Sequence, residues 1–122
     1  MTYDVVALVK ATPSTEDFVA GLGAAGTELR VRTVGDGAVT QLFDEQGALL
    51  VNLESPLYVQ VPGEVERQLG LPPGQVETPV WWFEARATTN EGGAEAARAY
   101  AGELVRRLGG RVWLAAGEES DV

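Results

Sequence analysis

The sequence predicts an α+β fold, with a single mixed β-sheet carrying two main helices on one face. Three observations predict it. Pro79 to Leu114 reads as a strand, a long helix and a second strand, and holds all three tryptophans. Val5 to Val9 is a short β-branched apolar run followed directly by a helix start. Between them, three short apolar segments are separated by Gly- and Asp-containing turns. Strand–helix–strand at each end, with a meander and a short helix between, suggests a ferredoxin-like core (βαβ…βαβ) with an insertion.

Taken in order, Val5–Val9 lies between Asp4 and Lys10, and its unbroken apolar character fits a strand covered on both faces. Thr12-Pro13 or Ser14 can cap the next helix, with Glu16 and Asp17 in its first turn, where the helix dipole favours carboxylates. Phe18, Leu22 and Ala25 share a face, and Gly26 suits the C-terminal end. Leu29–Val34 alternates apolar residues with Arg30 and Arg32. Gly35-Asp36-Gly37 is a hairpin turn, Ala38–Phe43 the return strand, and Ala48–Leu53 the third strand of the meander. Leu57–Val61, just after Pro56, reads as an edge strand.

Glu64–Leu69 is a short helix on which both Glu64 and Glu66 read as solvated, and Gly70–Pro79 is a surface loop. Along Val80–Thr89, Trp81, Phe83, Ala85 and Ala87 fall on one face, and Trp82, Glu84, Arg86 and Thr88 on the other. The long helix begins near Asn90 and buries a stripe of Ala94, Ala97, Ala101, Leu104 and Leu108. Gly109-Gly110 ends it, and Arg111–Ala115 is the last strand. At 122 residues the chain is sized for one domain, taken as 1–116, with 117–122 an acidic tail expected to fray.

Composition narrows function by exclusion. Neither histidine nor cysteine is present, which removes the commonest general base, the commonest metal ligand and all thiolate chemistry. No metal site, cofactor or catalytic motif is therefore expected, and the chain reads as a non-enzyme. A formal net charge of −9 with nine Lys and Arg disfavours nucleic acid and anionic membrane surfaces. Gly21-Leu22-Gly23-Ala24-Ala25-Gly26 matches a dinucleotide fingerprint by letter. Its glycines end a helix instead of opening one, so the phosphate-binding geometry is reversed. The opening apolar run is too short for a secretion signal and has no basic residue ahead of it, so the cytoplasm is expected. Arginine in place of lysine, with abundant Ala, Gly and Val, suggests a bacterium with a GC-rich genome.

The candidate binding residues are Trp82, Glu84, Arg86, Trp113 and Arg30. Trp82, Glu84 and Arg86 leave the strand on the face away from the helix, and Trp113 joins them if Val112 and Leu114 face the helix; parity alone leaves that open. Tryptophan and arginine are over-represented at interface hot spots, and the chain has helix enough for only one sheet face. The first expectation is a protein-interaction module (an adaptor, or immunity-like or chaperone-like), binding a protein partner or a second copy of itself through the open sheet face. The second is a homodimer that binds or senses a small, anionic molecule between Trp82, Arg86 and Tyr58. An enzyme working through Glu84 alone ranks last, because no second carboxylate can be placed opposite it from the sequence.

Overall fold

The computed structural model describes residues 3–114. Its elements are β1 (Tyr3–Val9), α1 (Thr15–Ala25), β2 (Arg30–Val34), β3 (Val39–Phe43), β4 (Leu49–Glu54), β5 (Leu57–Val59), α2 (Glu64–Leu69), β6 (Val80–Ala87), α3 (Gly93–Leu108) and β7 (Gly110–Leu114). The fold is α+β. One sheet has the order β2-β3-β4-β6-β1-β7, with β5 pairing the first half of β6 where β4 has ended. The acidic tail and the outer ends of the expected domain, 1–2 and 115–116, lie outside the described residues.

Every neighbouring pair in this sheet is antiparallel, which corrects the expected mixed sheet. The reason lies in what each helical crossover skips. β6 and β7, joined by α3, run in the same direction, but β1 lies between them and runs opposite to both. The strands joined by α1, β1 and β2, are held apart by β6, β4 and β3. No two parallel strands become neighbours. A ferredoxin-like core is not established by this order, and it stays an expectation of the sequence.

Both main helices cover one face. α3 lies on β1, β6 and β4, and α1 packs chiefly against α3. Ser14, not Thr12, caps α1: its hydroxyl accepts from the Asp17 N–H at 3.3 Å, and the Asp17 carboxylate accepts from the Ser14 N–H at 2.9 Å. Asp17 also holds Arg107 of α3 at 2.8 Å. That ion pair, followed by the Ser14 hydrogen bonds, keeps the Asp17 carboxyl below its ordinary pKa. Gly21 lets the helices meet closely, since a Cβ there would sit 3.0 Å from the Tyr100 ring. Phe18 meets that ring edge-on at 6.1 Å.

α3 starts at Gly93, with Gly92 as its cap, and not at Asn90. The Asn90 side chain instead donates to the Leu49 carbonyl at 2.8 Å, tying the turn to β4. Its buried stripe is Gly93, Ala96, Ala97, Tyr100, Ala101, Leu104 and Leu108, so Tyr100 joins the core and Ala94 is only half-buried. These side chains pack on Val5, Ala7, Val9, Leu42, Val51, Leu53, Phe83, Ala85 and Ala87. Burial pushes the Tyr100 phenol above its ordinary pKa.

The tightest backbone contact lies where α3 turns into β7. Gly110 has φ 143°, and a Cβ added there would sit 1.8 Å from the Leu8 carbonyl oxygen. Gly109, at φ 75°, has open space around its own Cβ position. Replacing Gly110 by alanine therefore collides with backbone, and we expect a loss of about 3 kcal/mol or more as β7 is forced from β1. Gly109→Ala should cost about 1–3 kcal/mol, the backbone strain of an alanine at this positive φ alone. Urea unfolding of the two variants measures the difference, and equal midpoints would refute this account of β7.

Candidate functional site

The second face of the sheet is partly covered by the chain itself, although the sequence was expected to supply helix for one face only. α2 lies across it, burying Val65 and Leu69 against Val6, Leu8 and Val80. Val59, Leu71, Val76, Trp82 and Trp113 pack around this second core. The segment expected to be a surface loop supplies Leu71 and Val76, so it acts as a strap. Glu66, expected to be solvated, is 3% exposed, and it is what holds the strap down. Its carboxylate accepts from the Val76 N–H at 2.9 Å. That bond first, then its own backbone N–H and those of Gln75 and Gly74, keeps the Glu66 carboxyl below its ordinary pKa despite its burial.

Register settles the position of each candidate residue. Trp113 pairs with Val6 and Arg111 with Leu8, so both project from the same face as Trp82. Trp82 has a structural role: it is half-buried against the second core, and its indole N–H donates to Glu84 at 3.2 Å. Tyr58 lies on the opposite face, packed against Trp81 with ring centroids 4.7 Å apart and ring planes inclined by 40°. The expected pocket of Trp82, Arg86 and Tyr58 is therefore not formed. A small groove of about 200 Å³ runs instead between α2 and the sheet, lined by Leu57, Val59, Val65, Trp82 and Glu84.

Past the edge of α2 the same face is open to solvent and polar. Arg32, Gln41, Asn52, Arg86 and Asp4 stand opposite one another on β2, β3, β4, β6 and β1. Arg32 donates to the Gln41 side-chain oxygen at 2.8 Å, and the Gln41 amide donates to Asn52 at 2.9 Å. Arg86 donates to Asp4 at 3.2 Å and to Glu84 at 3.0 Å, with Glu54 3.9 Å away. The Asp4 charge above all, with Glu84 behind it, raises the Arg86 pKa. Arg30 stands two residues along β2 from Arg32, exposed, on the same face and opposite Phe43. β2 and β6 are three strand spacings apart, about 14 Å.

The structure thus joins Trp82, Glu84 and Arg86 into one chain of contacts. It leaves Arg30 at the far edge of the open face and puts Trp113 beyond β1. Sequence reasoning missed Asp4, Gln41, Asn52 and Glu54, whose only signal is strand register. On the helix side, a separate cleft of about 410 Å³ lies between the start of α1 and β3–β4, with Phe18, Leu53 and Phe83 among its lining. Among the described residues, no group of three or more Asp and Glu side chains has the geometry to hold a metal ion, and no helix is long and apolar enough to cross a membrane.

Two expectations follow from this geometry. Trp82→Ala removes part of the second core, so it should lower stability by about 2–3 kcal/mol, readable from its urea midpoint. A variant as stable as the parent would make Trp82 a surface residue after all. Glu66→Gln keeps the size of the side chain but loses the ionised acceptor, so amide exchange at Val76 should accelerate while β1 and β6 stay protected. Because the folded Glu66 pKa is depressed, its stabilisation is complete above the ordinary glutamate range and is lost as pH falls through the lower folded value. Acid should therefore release the strap in the parent protein in the same way, and an acid-insensitive Val76 amide would contradict the assignment.

No family model matches the sequence, and no curated protein or solved structure matches the chain.

Proposed function

We propose that this chain is an interaction module and not an enzyme, and that it pairs with a second copy of itself through the open, polar part of its sheet. One observation carries the reading: the charges on that face are divided between its two ends. Arg30 and Arg32 stand at the β2 end, while Asp4, Glu54 and Glu84 surround the single Arg86 at the other. The cationic end is +2. The opposite end, three carboxylates less one guanidinium, is −2.

A two-fold axis lying between two such faces, parallel to the strands and over Gln41 and Asn52, sets the β2 rim of each copy over the partner's β6 and β1, with Arg32 level with the partner's Asp4–Arg86 pair and Arg30 displaced along the strand from Glu54 and Glu84. That is the self-complementarity a symmetric dimer requires. Holding the polar side chains in lateral hydrogen bonds before association lowers the ordering cost of binding. The overall charge of −9 opposes any second copy, so alignment of these local charges is what would favour this face over others.

Sedimentation velocity tests the reading. At about 100 μM, well above a micromolar dissociation constant, the parent should sediment as a dimer. Arg30→Glu with Arg32→Glu should sediment as a monomer with unchanged circular dichroism. A monomeric parent at that concentration, or a dimer that survives the double reversal, would overturn it.

A further inference from the structure

A different part of the second face holds an open cleft. At the end of β1 nearest α1, Leu8 lies between Trp82 on β6 and Arg111 on β7, and Lys10 follows on the same face two residues later. The cleft, of about 340 Å³, lies there, with Leu8, Val76, Val80 and Trp113, the cations Lys10 and Arg111 and the carboxylate Glu77 among its lining. Val76 belongs to the strap that Glu66 holds, so one wall of the cleft is fixed by a buried carboxylate. The volume is within the range of ordinary small-molecule sites.

Two features of this cleft lack an internal explanation. Arg111 has no ion pair among the described residues, in a chain where Asp and Glu outnumber Lys and Arg by eighteen to nine. Its guanidinium instead lies 5.7 Å from the centre of the Trp113 ring. Lys10 meets only Glu77, at 3.5 Å, with both side chains largely in solvent. A pair of that kind is worth little and is readily displaced.

We infer that this cleft binds a small carboxylate with a flat apolar body, its ring against Leu8, Val80 and Trp113 and its carboxylate between Arg111 and Lys10. The apolar lining accounts for the body, and the two cations account for the charge. A planar guanidinium matches a carboxylate in geometry as well as in sign. The site is separate from the proposed dimer face: it lies at the β7 side of the sheet, across β1 and β6 from Asn52 and Gln41.

Benzoate is the probe, with benzyl alcohol as its neutral counterpart and inorganic phosphate as an anion without a ring. Titration followed by amide and indole N–H chemical shifts should show saturable benzoate binding, with a dissociation constant of about 1 mM or below. The shifts should centre on Leu8, Lys10, Arg111 and Trp113. Arg111→Gln should weaken benzoate about tenfold, and Lys10→Gln should weaken it as well. Both side chains lie at the surface, and unchanged urea midpoints would show the variants folded. The proposal is overturned by absence of saturable shifts, by undiminished affinity in both variants, or by benzyl alcohol or phosphate binding as tightly as benzoate.

Discussion

The placing of β1 inside the sheet, paired on both sides, is the constraint on which the rest depends. β1 pairs with β6 on one side and β7 on the other, and Val5–Val9 are between 0% and 2% exposed, so both faces of this strand must be covered. Alternate side chains then belong to different cores. Val5, Ala7 and Val9 face the two long helices, while Val6 and Leu8 face α2. A strand with polar residues on one face could have sat at the margin of the sheet. This one cannot, and its demand for a second cover is what recruits α2 and the strap.

That demand was legible in the sequence, but its answer was not. The unbroken run Val5–Val9 signals burial on both sides, and the alternation along β6 sorts Trp81 from Trp82. What covers the second face is harder to read. α2 has six residues, and the segment after it is rich in Pro and Gly, the composition of a linker. Its attachment depends on Glu66, a residue type that is almost never buried unless its oxygens are hydrogen-bonded. No local pattern announces such an arrangement. The antiparallel sheet escaped for a similar reason: helical crossovers are visible in sequence, whereas the strands they skip are not.

The polar face shows the same limit at the level of side chains. Arg32, Gln41, Asn52, Arg86 and Asp4 come from five strands and span most of the chain. Each looks like an ordinary outward-facing residue on its own strand. Only pairing register puts them in line, and register is set by long-range contacts, including the irregularity between Leu42 and Phe43 in the pairing of β3 with β4. Trp113 is the complementary case. Its side of the sheet follows once Gly110 is placed opposite Val9, a pairing possible because glycine tolerates the close Leu8 carbonyl.

The outer strand β2 has a further consequence, for how the edge of one sheet can meet the edge of another. All five of its residues are exposed, and one backbone edge is unpaired among the described residues. Such an edge is a template for uncontrolled sheet growth. If two β2 strands met antiparallel along their full length, Arg32 of one would lie opposite Arg32 of the other, with Arg30 opposite Val34. Like charges face to face make that register unfavourable. The arginines therefore disfavour this register of edge-to-edge pairing between two copies.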